Sequence, residues 1–206
     1  MHVLIVLTHP DPGSLTTSVA QEIAHRLSSS HTVEVADLSS EGFAPAFTME
    51  DLRAYRLEAP LPADVQREQE RVNRADAIVF VYPIYWWGIP SLLKGWIERV
   101  FSNGWAWGAG NDDGPQGKAL AGKRMHLVGL GASSLDRYER RGFLNAMHTS
   151  INEGTFEYCS APVTSSRILH GSEGDVSDRA AFVDSAVSDI LQSLDPAEQY
   201  DHAAIY

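Results

Sequence analysis

Three stretches of the chain are apolar at almost every position. Residues 1–7 carry Val3, Leu4, Ile5, Val6 and Leu7, residues 77–82 run from Ala77 through Phe80 to Tyr82, and residues 125–130 form a weaker run around Leu127 and Val128. Unbroken apolar runs of this length predict strands covered on both faces. Two further segments are more polar. In residues 32–36, Val33 and Val35 point one way and Thr32 and Glu34 the other, and in residues 163–169 Thr164, Ser165, Ser166 and Arg167 fill the middle. That pattern suits strands at sheet edges.

Between these runs the period lengthens. Leu15, Val19, Ile23 and Leu27 recur every four residues, with Ala20 and Ala24 beside them, which predicts an amphipathic helix. A second stripe joins Ile89, Leu92, Leu93, Trp96, Ile97, Val100 and Phe101, with Pro90 placed as a first-turn proline. A third runs from Phe182 to Leu194 after Ser177 as a cap. Residues 142–158 predict a less regular helix. Residues 41–64, with Pro45, Pro60 and Pro62, read as an excursion holding a short helix near residues 49–56. Strands alternating with helices imply a parallel sheet with helices on both faces. The edge character of the second and fifth strands selects the order 2-1-3-4-5. The expected fold is therefore α/β, a flavodoxin-like, doubly wound, five-stranded parallel sheet. It forms a single domain over residues 1–194, with residues 195–206 as a polar tail.

Composition narrows the function classes. The 206 residues include 27 acidic and 16 basic side chains, a net charge of −11, and are 44% hydrophobic. There is enough apolar matter for a core, and no basic stripe to displace counterions from nucleic acid. No apolar run approaches the length of a membrane span, and the N-terminus lacks the basic region of a signal peptide. The single cysteine, Cys159, reads as a small core residue. A cytoplasmic protein with no nucleic-acid partner and no membrane insertion is expected.

Ligands of open parallel sheets bind outside the C-terminal strand ends, at the switch point between strands one and three. After strand one, the loop from Thr8 to Ser18 offers the hydroxyls of Ser14, Thr16, Thr17 and Ser18 and the amides of a helix N-terminus, a cradle for phosphate. Alone it reads equally well as a turn and a cap. After strand three, Tyr85, Trp86 and Trp87 stand between Pro83 and Gly88-Ile89-Pro90. Such an aromatic run suits a flat ring. After strand four, Gly129, Gly131 and Ala132 let a ligand approach the backbone. Trp105 and Trp107 lie in a further glycine-rich segment that could cap a pocket. The three loops together fit a flavin mononucleotide unit. The eight histidines form no HxH or HExxH pair, so no metal is expected, and there is no GxSxG serine elbow.

On these residues the chain resembles the NAD(P)H:quinone oxidoreductase family of flavodoxin-like flavoproteins, in its shorter bacterial form. The resemblance is carried by residues 69–101, including Tyr82-Pro83, Trp86-Trp87-Gly88-Ile89-Pro90 and Leu93-Lys94-Gly95-Trp96-Ile97-Glu98-Arg99-Val100-Phe101. It is supported by His9, by Ser14-Leu15-Thr16 and by residues 117–123. It implies a flavin-dependent oxidoreductase in which NAD(P)H delivers a hydride and a quinone, azo or nitro acceptor then removes it. By position, His9, Ser14, Leu15 and Thr16 would hold the phosphate side of the flavin, with Gln69 nearby. Pro83, Ile84, Tyr85, Trp86 and Trp87 would flank its ring. Gly131 and Ala132 would offer backbone amides to the ring edge, with Tyr138 beside it, so that Gly131 and Tyr138 are the expected catalytic positions. A homodimer is implied, with Trp105 and Trp107 at the pocket mouth. FMN is favoured by the short chain, while Gln69 and the first loop are compatible with FAD.

Two departures stand out. Leu144 takes the place of a histidine found six residues after the tyrosine in mammalian-type members, with His148 the nearest substitute, and Leu130 stands where a threonine is common. A flavodoxin-type electron carrier and a regulatory subunit of a potassium-efflux system are the alternative functions. No arginine or lysine in the three loops reads the 2′-phosphate of NADPH.

Overall fold

The computed structural model describes residues 1–108, 118–174 and 177–194. Five strands, β1 (His2–Leu7), β2 (Thr32–Asp37), β3 (Ala77–Pro83), β4 (Arg124–Gly131) and β5 (Val163–His170), form one sheet in the order β2-β1-β3-β4-β5. Every neighbouring pair is parallel. β1 and β3 are buried almost throughout and β4 behind its first residue, while β2 and β5 are only partly covered. The order and the two edges are those the polarity pattern predicts. The expected tail, residues 195–206, lies outside the described residues.

Alternating strand side chains divide the core. Val3, Ile5, Val79 and Val81 face α1 (Leu15–Leu27), and a C-terminal helix, Arg179–Leu194, joins α1 on that face. Leu4, Val6, Ile78 and Phe80 face the opposite layer, which includes Leu93 and Trp96. The chain there runs through α2 (Met49–Tyr55), α3 (Ala63–Arg74), α4 (Ser91–Val100), α5 (Leu135–Arg140) and α6 (Phe143–Met147), and the C-terminal helix is α7. Pro90 sits at the N-cap of α4, one position before its first turn. After α6 the chain continues as a π-helix over His148–Phe156. The wider π turn moves apolar positions off the 3.6-residue period, which accounts for the irregular pattern of residues 142–158. Cys159 is buried, as expected of a core residue, and burial pushes its thiol up to about 11.

α3 is absent from the hydropathy pattern because half of its inward face is polar. Val65 and Val72 are buried, but so are Glu68 and Gln69. Glu68 accepts a hydrogen bond from Trp96 Nε1 (2.9 Å), and Gln69 Nε2 donates to Val100 O and Ser102 Oγ (both 2.9 Å). Buried polar side chains with partners are tolerated, but they leave no apolar stripe to read.

His126 on β4 is fully buried between β5 and α7. Ser193 Oγ donates to Ile190 O (2.7 Å), so it accepts from His126 Nε2–H (3.1 Å), and His126 Nδ1 accepts from Ser165 Oγ (2.8 Å). Desolvation lowers the imidazole to about 4 against the opposing pull of Asp189. The unfolded chain takes up a proton at this residue below about pH 6.5 that the folded chain refuses until about pH 4. Its contribution is complete at pH 7 and is lost as pH falls through that window, by up to about 3 kcal/mol. Urea melts at stepped pH should show this decline, and His126→Gln should flatten it. An equal slope in the variant would assign the decline to other groups.

Candidate active site

The first loop is wound upon itself. Asp11 N donates to His9 Nδ1 (3.0 Å), Gly13 N to Asp11 Oδ1 (2.8 Å) and Ser14 N to Asp11 O (3.2 Å). Ser14 caps α1 by accepting from Thr17 N (3.1 Å). Among the described residues, the amides of Leu15 and Thr16 have no acceptor, as the opening turn of a helix requires. Thr8 Oγ1, at the start of the loop, is buried and without a partner. Arg179, the first residue of α7, reaches Ser18 Oγ in the first turn of α1 (2.6 Å). Free amides, an unpaired hydroxyl and a guanidinium are the donor set that a phosphate takes. Arg179 was not legible as a site residue, although a cation in a helix's first turn runs against the helix dipole and is a weak signal.

The third loop is a two-residue hairpin. Tyr85 and Gly88 exchange both backbone bonds (3.2 and 3.1 Å), and the two residues between them, Trp86 and Trp87, have φ of 51° and 55°. Left-handed backbone at two bulky residues costs about 1–2 kcal/mol each. Ile84 N anchors the loop to Leu130 O at the end of β4 (2.7 Å). Trp86 is 90% exposed, and Trp87 stacks on Phe143 with centroids 4.0 Å apart.

The glycines of β4 make room for the walls. A Cβ at Gly129 would lie 2.9 Å from Ile84 Cδ1, and one at Gly131 would lie 2.5 Å from the Tyr138 hydroxyl. Ile84, Trp86, Trp87, Ala132, Ser133 and Tyr138 line a cleft of about 110 Å³ that carries no charged side chain. The amides of Ala132 and Ser133 and the hydroxyl of Tyr138 have no protein partner among the described residues. Burial raises the pKa of Tyr138, which keeps it a neutral donor. His170, paired with Gly131 across β4 and β5, meets the Tyr138 ring edge-on at 4.8 Å. Its Nδ1 is buried without a hydrogen bond, and desolvation lowers its pKa against the opposing pull of the Ser133 backbone and Glu139.

The structure therefore gathers Ile84, Trp86, Trp87, Ala132 and Tyr138 at one cleft, with Gly131 beneath Tyr138 and Pro83 and Tyr85 on the adjoining backbone. His9, Ser14, Leu15 and Thr16 form the neighbouring cradle. Gln69 is not brought to either. Its amide is held at the C-terminal end of α4, about 15 Å of helix from the strand ends where α4 begins. Trp105 and Trp107 do not line this cleft. Trp107 packs against Tyr55 and Tyr158 and borders a second, apolar cleft of about 360 Å³ between the 47–61 segment and the end of α4. The charged Asp51 and Arg99 in that cleft are paired with each other. His148 is exposed and faces Glu153, so the imidazole beside Tyr138 is His170.

A flavodoxin-like fold family matches residues 1–194. An NAD(P)H oxidoreductase of Haemophilus influenzae is 32% identical over 77% of this chain and 78% of its own. The mouse ribosyldihydronicotinamide dehydrogenase [quinone] is 30% identical over 82% of this chain and 81% of its own. Among solved structures, the NAD(P)H:quinone oxidoreductase of Methanothermobacter marburgensis superposes with a TM-score of 0.81 at 29% identity, covering 91% of this chain and 96% of that one.

Proposed function

The chain belongs to the flavodoxin-like family whose pattern spans residues 1–194, and from that premise we propose that it is a flavin-dependent NAD(P)H oxidoreductase that reduces quinones and related aromatic acceptors. The observation that carries this reading is the uncharged aromatic cleft beside a cradle of unpartnered amides. When bound, a flavin supplies a two-electron relay, taking a hydride from the reductant and passing it to the acceptor in a second half-reaction. Leu15 and Thr16 amides, with Arg179, would hold its phosphate. Ala132 and Ser133 amides and the Tyr138 hydroxyl would serve as donors to the developing negative charge of the ring. Trp86 and Trp87 would exclude water from it. FMN is the flavin in this reading, because Leu15, Thr16 and Arg179 supply donors for one phosphate group.

The protein acts as a homodimer in this reading. Phe47, Met49, Tyr55 and Leu57 are exposed apolar side chains on the segment beside Trp107, and a second copy would cover them. Exposed apolar surface of this kind marks an interface.

The purified protein should show flavin absorbance at about 370 and 450 nm, release FMN on denaturation and sediment as a dimer. Anaerobic NADH or NADPH should bleach it in one two-electron stage, and a quinone should restore the colour. Arg179→Gln should weaken FMN binding roughly tenfold. A protein that takes up neither FMN nor FAD would remove the assignment, and bleaching in two one-electron stages would favour an electron carrier.

A further inference from the structure

The cleft has no charged wall, yet the helix that supplies Tyr138 and its C-cap carry three arginines. Arg137, Arg140 and Arg141 fall within five residues of a chain with a net charge of −11. Arg140 is engaged, donating to both carboxylate oxygens of Asp136 (2.9 and 2.7 Å). Arg137 and Arg141 are exposed, and among the described residues neither guanidinium has an acid or carbonyl partner.

Tyr138 lines the cleft, and Arg137 and Arg141 flank it along the chain on the exposed side of α5 and its C-cap. Arg141 is three residues beyond Tyr138, so the two share one side of the turn. Gly142, with φ of 69°, then ends α5 and turns the chain into Phe143. Phe143 stacks on Trp87 at 4.0 Å and meets Tyr138 edge-on at 6.4 Å. Arg141 therefore lies, along the chain, between Tyr138, which lines the cleft, and Phe143, which backs the cleft residue Trp87. Like charges four residues apart repel mildly, and an anion between them relieves that repulsion.

We propose that Arg137 and Arg141 bind the phosphate groups of the dinucleotide reductant while its nicotinamide lies against the flavin at the open side of the aromatic cleft. This rests on the reading of the chain as an NAD(P)H-dependent flavin reductase. The division of labour follows from chemistry: a neutral ring lies at an uncharged slot, and planar guanidinium forks outside it match phosphate oxygens. The pyrophosphate and the 2′-phosphate offer the same chemistry, and the choice of reductant separates them.

Three reductants make the test: NADPH, NADH and N-ribosyl-dihydronicotinamide, which has no phosphate. In the flavin-loaded double variant Arg137→Gln/Arg141→Gln, the ratio of kcat/KM for NADPH to that for the phosphate-free reductant should fall about tenfold or more. The change should lie in KM, and the wild-type KM for the dinucleotides should rise with salt. A fall for NADH as well as NADPH assigns the arginines to the pyrophosphate, and a fall for NADPH alone assigns them to the 2′-phosphate. Calorimetric titration with NADP⁺ should show the same loss of affinity without turnover. Unchanged ratios, or all three reductants slowed alike, would overturn the proposal, as would unchanged NADP⁺ affinity. A wild-type protein reduced by none of the three refutes the reductase reading instead, and the NADP⁺ titration still decides the role of the arginines.

Discussion

Gly95→Ala is expected to destabilise the protein by about 3 kcal/mol, opposite in sign to the usual outcome. Inside a helix, glycine to alanine normally stabilises by about 1 kcal/mol. Gly95 lies in the interior of α4, but Pro45 crosses directly over it. An added Cβ would lie 2.2 Å from the Pro45 carbonyl oxygen, 2.5 Å from its Cβ and 2.8 Å from its carbonyl carbon. These are backbone and ring atoms that cannot rotate away, so the 41–48 segment would have to lift from the helix. Urea denaturation of the two proteins measures the difference, and a variant as stable as the wild type would mean that the crossing is not held this closely in solution.

A similar loss, about 3–5 kcal/mol, is expected for Arg99→Leu. Arg99 is 5% exposed, and from α4 it grips the excursion at three points. It donates to Asp51 Oδ1 (3.0 Å), to Asp64 Oδ2 (2.6 Å) and to Ala44 O (2.8 Å), and its guanidinium lies 5.4 Å from the Phe43 ring centre. Burial alone would raise the pKa of Asp64, but the Arg99 hydrogen bond and charge prevail and hold it below the usual carboxylate range. Leucine fills the space and removes the cation, leaving the buried Asp51 carboxylate with only Thr48 as a partner. The penalty comes mainly from that uncompensated charge. Adding Asp51→Asn should therefore recover a substantial part of the loss, a coupling that a double-mutant cycle measures. Additive losses would show that Arg99 acts by packing alone.

The two variants also explain the segment that most clearly marks the family. Gly95, Trp96 and Arg99 belong to the run from Leu93 to Phe101, yet none touches the cleft. Gly95 admits Pro45, Trp96 bonds Glu68, and Arg99 pins residues 44–64. What reads as a functional signature is in large part the fastening of a long excursion. That excursion displays Phe47, Met49 and Leu57, the surface proposed above to meet a second copy.

Legibility followed range. The strands and α1 were visible because burial on one or two faces imposes a local period, and the three loops stood out because each interrupts an apolar run with residues a core does not need. α3 was hidden by Glu68 and Gln69, whose partners lie 28 to 33 residues away. Gln69 looked like a cofactor residue by position alone. His170 and Arg179 come from parts of the chain far from the loops they join, and no spacing rule links Arg179 to Ser18 across 161 residues.

The sequence by itself determined the parallel sheet, its strand order and the loops at its switch point, because alternation and apolar runs report which faces meet water. Only the tertiary structure decided which side chains share the cleft, which imidazole stands beside Tyr138, and which arginines are free to meet a ligand. Those outcomes depend on distances between residues remote in sequence, and hydropathy along the chain carries no record of them.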